Sequence, residues 1–344
     1  MKRALASTVL LLVACGGDNT SGDLGPADFT GVALDLTGAP PPDMLGLPPA
    51  PPTTAVSVYV EPGSGITPVA NAILAAKSSV SMEMYLLDQT TVINALTSAA
   101  RAGVNVRVIL DHSSMTTSNQ SAYNTLGAGG VHVQWSSPQF TYTHVKSIVI
   151  DDKQLWAMTM NLTVSAPNGN REYLLVDTDP DDIAEAHSLF EADWNHTAAS
   201  AYRLVVSPIN ARTRLQEIID TAQSELDIEW EEFSDNQVAL HVQSRLKAGV
   251  AVKIVVPTTI AGTATVGTMN ALKAVGASIV TNSSPTIHAK LILVDHASGF
   301  IGSENATSNS LQSNREVGVY WQSAAVAAMT GAAFTTDFTG GKPF

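Results

Sequence analysis

One stretch near the C-terminus constrains this chain more than any other. It follows the pattern H-x-K-x4-D-x6-G-S-x-N, carried by His288, Lys290, Asp295, Gly302, Ser303 and Asn305. Six fixed residue types in this order coincide by chance at a given start with a probability of about 10⁻⁷ to 10⁻⁸. The stretch is therefore a motif and not an accident of composition.

A second copy of the pattern lies 144 residues earlier. It is carried by His144, Lys146, Asp151 and Asn161. Met158-Thr159 stands where the C-terminal copy has Gly-Ser. In each copy a glutamate follows the histidine by 28 residues, and these glutamates are Glu172 and Glu316. The chain therefore holds two sets of the same side-chain types at the same spacing.

The rest of the chain repeats with nearly the same period. Residues 102–109 align with 248–255, and residues 80–83 align with 226–229, both at an offset of 146. Short apolar runs alternate with amphipathic segments, which is the α/β pattern. We therefore predict an internal duplication, with an N-terminal lobe at 56–200 and a C-terminal lobe at 201–344.

The duplicated motif resembles that of the phospholipase D superfamily, in which two H-x-K-x4-D copies build one active site. The resemblance covers nearly everything after residue 55. It implies an α/β fold of two similar lobes, each a mixed β-sheet flanked by helices, packed pseudo-symmetrically around one active site. It also implies a monomer that forms an intramolecular pseudo-dimer. The departure at Met158-Thr159 predicts that the two halves of the site are not equivalent.

A phosphodiester resists hydrolysis because its negative charge repels nucleophiles and its alkoxide is a poor leaving group. An enzyme has to neutralise the non-bridging oxygens, supply a nucleophile and protonate the leaving oxygen. One histidine from each copy can divide the last two tasks, because the pKa of imidazole lies near neutrality. The resemblance implies that His144 is the nucleophile and His288 the acid.

The remaining motif residues are expected to support these histidines. The expected catalytic set is His144, Lys146, Asn161, Glu172, His288, Lys290, Asn305 and Glu316, with Thr159 and Ser303 as supporting hydrogen-bonders. The lysines and asparagines would bind the phosphoryl oxygens, and the glutamates would accept the other ring N–H of the histidines. Because these charges come from the chain, we expect no metal and no cofactor. Asp151 and Asp295 resemble positions that act structurally.

The N-terminus predicts export. A basic start at residues 1–3 precedes an apolar run over residues 4–14, which is too short to span a bilayer as a helix. Cys15, the only cysteine, follows a lipoprotein-like cleavage box, so residues 1–15 are expected to be a signal peptide with Cys15 as the lipid anchor. An ordinary cleaved signal peptide is the alternative. Residues 16–55, rich in Pro and Gly, predict a tether. We therefore expect a membrane-anchored lipoprotein of the bacterial envelope, or a secreted protein.

The net charge of −13 argues against a non-specific nucleic-acid binder, which needs Lys and Arg to displace counterions. The expected substrate is therefore a phospholipid at a membrane surface, with water or an alcohol as acceptor. The expected enzyme is a metal-independent phospholipase D that releases phosphatidic acid and can transfer the phosphatidyl group. Three alternatives stay open: a phosphatidyltransferase of the cardiolipin synthase type, a nuclease or other phosphodiesterase, and an inactive envelope binding protein.

Overall fold

The structure of the protein, a computed structural model, describes residues 49–260 and 262–344. Cys15, the predicted signal peptide and most of the predicted tether lie outside these residues, so those expectations stay predictions. Within the described residues, none of the helices combines the length and the apolarity needed to cross a membrane.

The N-terminal lobe is built on a mixed sheet. Its strands are β1 (Val56–Glu61), β2 (Ser79–Met84), β3 (Asn105–Leu110), β4 (His132–Trp135), β5 (Lys146–Ile150), β6 (Gln154–Met158) and β7 (Asn170–Asp177). Its helices are α1 (Thr67–Ala75), α2 (Thr90–Arg101), α3 (Thr116–Ala128), α4 (Ala166–Gly169) and α5 (Pro180–Trp194). The strand order is β1-β7-β6-β5-β2-β3-β4, with β2, β3 and β4 parallel and the other neighbours antiparallel.

The C-terminal lobe repeats this sheet. Its strands are β8 (Val205–Ser207), β9 (Glu225–Trp230), β10 (Ala251–Pro257), β11 (Ser278–Asn282), β12 (Thr286–Ile287), β13 (Lys290–Val294), β14 (Ser298–Gly302), β15 (Glu316–Gln322) and β16 (Lys342–Pro343). Its helices are α6 (Ala211–Asp220), α7 (Asn236–Lys247), α8 (Ala264–Ala274), α9 (Ser308–Gln312) and α10 (Ala324–Gly340). The order β11-β10-β9-β13-β14-β15-β8 matches that of the first sheet, strand for strand, and β16 extends it. The predicted α/β fold of two similar lobes is confirmed.

Within residues 49–260 and 262–344 the apolar core has three parts, because both faces of each sheet are covered. One cluster lies in the N-terminal lobe and contains Val80 and Met82, and its counterpart in the C-terminal lobe contains Leu226 and Ile228. The third cluster draws on the inner faces of both sheets; its members include Val145, Tyr173, Ala289 and Val317. Alternate residues of one strand serve different clusters, as the two-residue period of a strand requires. The third cluster therefore joins the lobes.

The folded body begins slightly before the predicted end of the tether. Ala50 is buried, and Arg214 donates a hydrogen bond to its carbonyl oxygen. Thr53 forms a parallel bridge with Trp321 of β15. The last residues of the expected tether thus pack on the C-terminal lobe before the chain enters β1 of the N-terminal lobe.

Candidate active site between the two lobes

The two histidines reach the site on equivalent strands. Lys146 is the first residue of β5, and His144 lies two residues before it. In the same way, Lys290 is the first residue of β13, and His288 lies two residues before it. The residue between each pair belongs to the apolar cluster that joins the lobes. Strand alternation therefore directs each histidine and its lysine away from that cluster, to one side.

The first histidine is tied to the C-terminal lobe. Thr143 forms a parallel bridge with Arg315, and the His144 N–H donates to the Arg315 carbonyl oxygen at 2.9 Å. Because Glu316 follows Arg315, its carboxylate lies beside the imidazole ring. The distance from His144 Nδ1 to Glu316 Oε2 is 2.8 Å.

The second histidine is tied to the N-terminal lobe in the same way. β12 pairs in parallel with β7, with Ile287 opposite Arg171. Glu172 follows, and its Oε1 lies 2.8 Å from His288 Nδ1, as an ion-pair contact without an aligned hydrogen bond. Each histidine therefore has a glutamate partner from the opposite lobe, an exchange that the sequence spacing does not reveal.

Further side chains hold the two glutamates. On Glu172 the donors are Thr159 at 2.6 Å and Asn170 at 3.1 Å, and on Glu316 they are Ser310 at 2.6 Å and Asn314 at 2.9 Å. Thr159 also accepts a hydrogen bond from the Tyr173 N–H at 2.9 Å, and its counterpart Ser303 accepts the equivalent bond from the Val317 N–H at 3.1 Å. Asn170, Ser310 and Asn314 were not identified from the sequence, because hydroxyl and amide residues near a loop carry no distinctive pattern.

The environment of His144 favours the neutral ring. Burial and the neighbouring Lys146 ammonium lower the pKa of His144, against the opposing effect of Glu316. The ring meets Tyr85 edge-on at a centroid distance of 4.6 Å. Since Nδ1 is engaged by Glu316, Nε2 is the ring nitrogen available for chemistry.

The two lysines bring positive charge into this buried site. Lys146 Nζ donates to the His144 carbonyl oxygen at 2.9 Å and lies 5.1 Å from the Tyr85 ring centroid. Lys290 Nζ donates to the His288 carbonyl oxygen at 2.7 Å. Burial acts to lower the pKa of Lys290, but nearby carboxylates, first Glu231, raise it. Lys290 is therefore charged in the site.

A further acid enters the site that sequence reasoning did not identify. Glu231 directly follows β9, and its Oε2 lies 2.7 Å from Lys290 Nζ, 3.3 Å from Asn305 Nδ2 and 3.4 Å from His288 Nε2. Burial acts to raise the pKa of Glu231, but His288 and Lys290 hold it well below its ordinary value. The alignment of the repeats at an offset of 146 places Tyr85 opposite this acid. The difference between Tyr85 and Glu231 at this aligned position is the sequence signal that could have identified the acid.

The remaining motif positions lie where the pattern requires. Asn161, the counterpart of Asn305, is nearly buried after β6. Asp151 accepts hydrogen bonds from the backbone N–H groups of residues 77–79, and Asp295 from those of residues 223–225. These donors lower the pKa of both aspartates to about 2, although burial acts in the opposite direction. The aspartates therefore hold turns at the far ends of β5 and β13, away from the histidines.

Fold and site together define a duplicated protein with one two-histidine centre between its lobes. The family described as "Cardiolipin synthase, PLD-like domain" matches residues 69–194 and again residues 215–338. These two matches cover most of the chain, so the protein belongs to this phospholipase D-like family, with one copy of the domain in each lobe.

Individual relatives match shorter segments. Mitochondrial cardiolipin hydrolase of Mus musculus is 29% identical over 157 residues, which is 46% of this chain and 70% of that protein. A phospholipase D of Rickettsia conorii is 29% identical over 133 residues, 38% of this chain and 65% of that protein. The crystal structure of phosphatidylserine synthase from Haemophilus influenzae superposes with a TM-score of 0.64 at 11% identity, covering 86% of this chain and 89% of that one. At that identity the likeness concerns the fold alone.

Proposed function

We propose that the protein is a phospholipase D that hydrolyses a phospholipid to phosphatidic acid and a head-group alcohol. The observation that carries this proposal is the pair of histidines that face one centre, each with a carboxylate of the opposite lobe 2.8 Å from Nδ1. Two buried lysines lie beside them. This is a constellation for attack on a phosphodiester with protonation of the leaving oxygen.

The environments of the two rings support different roles. His144 has a lowered pKa, so it is neutral near neutral pH and serves as the nucleophile. His288 has a carboxylate at each ring nitrogen, Glu172 at Nδ1 and Glu231 at Nε2. Glu172 thus occupies the Nδ1 side of the ring, so Nε2 is the nitrogen from which a proton can pass to the leaving oxygen, which is the role of the acid.

In the first step His144 Nε2 attacks phosphorus, and the bond from phosphorus to the head-group oxygen breaks. His288 gives its Nε2 proton to that oxygen, so the alcohol leaves neutral. The phosphoryl oxygens are held by Lys146, Lys290, Asn161 and Asn305, which supply charge and N–H donors. The product is a phosphohistidine on His144.

In the second step His288 takes a proton from water as the water oxygen attacks phosphorus. The bond from phosphorus to His144 breaks, and phosphatidic acid leaves. An alcohol in place of water gives a phosphatidyl alcohol by the same step. Transfer of the cardiolipin synthase type is therefore the second candidate, favoured by the description of the matching family.

The choice of phospholipid rests on two further observations. The chain carries a net charge of −13, which disfavours long contacts with nucleic acid. Two relatives that match parts of the chain are named for cardiolipin hydrolysis and for phospholipase D. These names support a lipid substrate, but the matched segments are only 46% and 38% of this chain.

The test uses the full chain with phosphatidylcholine or cardiolipin vesicles, with EDTA and ethanol present, and a single-stranded DNA digest in parallel. We expect head-group release and phosphatidylethanol while the DNA stays intact. Cleavage of DNA without lipid turnover would move the protein to the nuclease class. Loss of lipid turnover on adding EDTA would contradict the metal-free mechanism.

Export and anchoring through Cys15 belong to the same proposal. The measurement is membrane fractionation of the wild-type chain and of Cys15→Ser, because only acylation of the thiol distinguishes the two. We expect the variant to leave the membrane fraction. Equal partition of both chains would remove the lipid anchor from the proposal.

A further inference from the structure

The C-terminal half of the site already contains an anion. One carboxylate oxygen, Glu231 Oε2, faces Lys290 Nζ at 2.7 Å, Asn305 Nδ2 at 3.3 Å and His288 Nε2 at 3.4 Å. These three groups are the ones expected to bind and protonate the substrate in this half. A phosphoryl oxygen that takes the same donors has to take the place of Glu231 Oε2.

Only the side chain of Glu231 needs to move for this exchange. Its backbone N–H donates to the Ala289 carbonyl oxygen at 3.1 Å, which fixes the main chain beside the motif. The carboxylate is 20% exposed, so it can turn toward solvent. It then remains an anion at the edge of the phosphate position.

The N-terminal half is built differently at the equivalent position. Tyr85 stands there, with its ring edge-on to His144 and 5.1 Å from Lys146 Nζ. An aromatic ring attracts the ammonium but carries no net charge, so it does not repel the oxygens of a phosphate. At this position the C-terminal half therefore carries an anion, whereas the N-terminal half carries a neutral ring.

We propose that Glu231 is a specificity-determining residue that favours monoanionic phosphodiesters over dianionic phosphate monoesters. This inference rests on the proposed function, in which the substrate is a diester and the product a monoester. The second pKa of a phosphate monoester is about 6, so the product carries close to two charges at pH 7.5. At a given distance, repulsion by a carboxylate is twice as large for two charges as for one. Glu231 thereby weakens binding of the product more than binding of the substrate.

The test compares Glu231→Gln with Glu232→Gln. The neighbouring Glu232 is half-buried, and burial with the Glu231 charge raises its pKa to about 7. It influences Lys290 and His288 through charge, whereas Glu231 takes their hydrogen-bond positions. Glu232→Gln is therefore a matched control for a change of net charge at the site.

The first readout is calorimetric binding of inorganic phosphate at pH 7.5, which needs no turnover. We expect Glu231→Gln to bind phosphate about tenfold more tightly than the wild type, the order of one charge-assisted hydrogen bond. Glu232→Gln should change the affinity by less than about threefold, because Glu232 acts on Lys290 and His288 through charge and not by taking their hydrogen-bond positions. Equal or weaker phosphate binding by Glu231→Gln would overturn the proposal, even if lipid hydrolysis is confirmed.

The second readout is turnover. Product inhibition by a short-chain phosphatidic acid should strengthen about tenfold in Glu231→Gln, whereas the KM of the diester should fall by about threefold, since the charge effect on a monoanion is half as large in free energy. A parallel change in both constants would contradict discrimination by charge. Thermal unfolding of each variant checks the fold, and Glu231→Ala provides a second variant that removes the same carboxylate.

Discussion

The two lobes present the same four side-chain types to the centre but fill the space beneath them differently. In the C-terminal lobe, Gly302 and Gly318 leave room for the Phe300 ring and the carboxyl of Glu304. A Cβ atom on Gly302 would lie 2.6 Å from Gly318 Cα and 2.6 Å from the Phe300 ring, and would also meet Glu304 Oε2. Gly302 is therefore required by its neighbours.

The N-terminal lobe has Met158, Met160 and Leu174 at the positions of Gly302, Glu304 and Gly318. All three are fully buried in the apolar cluster of that lobe. The N-terminal lobe thus accommodates the bulky Met158 because the neighbouring positions also differ, with Met160 in place of Glu304 and Leu174 in place of Gly318. The difference teaches that the side chains facing the centre are common to both copies, whereas the packing below them varies as a unit.

The largest effects should separate the two histidines. His144→Ala and His288→Ala should each lower turnover of a natural phospholipid by at least about 10⁴-fold, since both act in one covalent mechanism. With a p-nitrophenyl diester, whose leaving group needs no protonation, His288→Ala should still give a burst of p-nitrophenol and accumulate an acid-labile phosphohistidine.

His144→Ala is the matched control and should give neither the burst nor the adduct. Mass spectrometry of acid- and base-treated protein identifies the modified histidine. A burst in His144→Ala and none in His288→Ala would exchange the roles of the two lobes.

The crossed glutamates give the next largest effect. Glu316→Gln and Glu172→Gln should each lower kcat by about 10²- to 10³-fold, because an amide no longer fixes the tautomer and charge of the histidine across the interface. Ring ¹⁵N NMR provides the specific readout. Glu316→Gln should shift the resonances of His144 and leave those of His288 in place, and Glu172→Gln should do the reverse. Shifts at the histidine of the same lobe would refute the exchange.

The sequence predicted the fold and the motif because both depend on local spacing. Repeated strands with a repeated H-x-K pattern suffice to place Lys146 and Lys290 on equivalent strands. The exchange of glutamates depends instead on pairing between distant segments, Thr143 with Arg315 and Ile287 with Arg171. No local pattern encodes such a contact.

Glu231 was not predicted as a site residue for a related reason. An acid after an apolar strand usually lies at the surface, and its place in the site depends on how β9 pairs with β13. The register of that pair puts Trp230 opposite Lys290, so the next residue reaches the side chains of Lys290 and His288. The packing of Met158 against Met160 and Leu174 likewise depends on how β6 and β7 lie in the apolar cluster of the N-terminal lobe, which a single sequence does not display.

Alanine at the two equivalent positions tests the difference in packing. Met158→Ala should lower the free energy of unfolding by about 2–5 kcal/mol by leaving a cavity. Gly302→Ala should lower it by about 1–3 kcal/mol for the opposite reason, because the added Cβ atom overpacks the site.

Urea denaturation monitored by tryptophan fluorescence measures both changes. Replacement of Phe300 by Leu is expected to restore part of the stability of Gly302→Ala, because it removes part of the clash. The same replacement should not rescue Met158→Ala. An unchanged stability in Gly302→Ala would contradict the overpacking inferred at this position.

The smallest effect concerns the buried carboxyl that fills the C-terminal lobe in place of Met160. Both oxygens of Glu304 are buried without a hydrogen-bond partner among the described residues. Burial, and then the charge of Glu316, raise the pKa of Glu304 well above its ordinary value. The folded protein therefore keeps the proton while the unfolded chain loses it as pH rises. A group of this kind contributes stability below its unfolded pKa, and that stability is lost as the pH rises.

Glu304→Gln is neutral at every pH, so it should unfold at nearly the wild-type temperature at pH 5 and a few degrees higher at pH 8. Calorimetry across this range measures the difference, with the exposed Asp181→Asn as control. A difference in unfolding temperature that does not change with pH would show that Glu304 is ionised in the folded lobe, and that the two lobes differ there in charge as well as in packing.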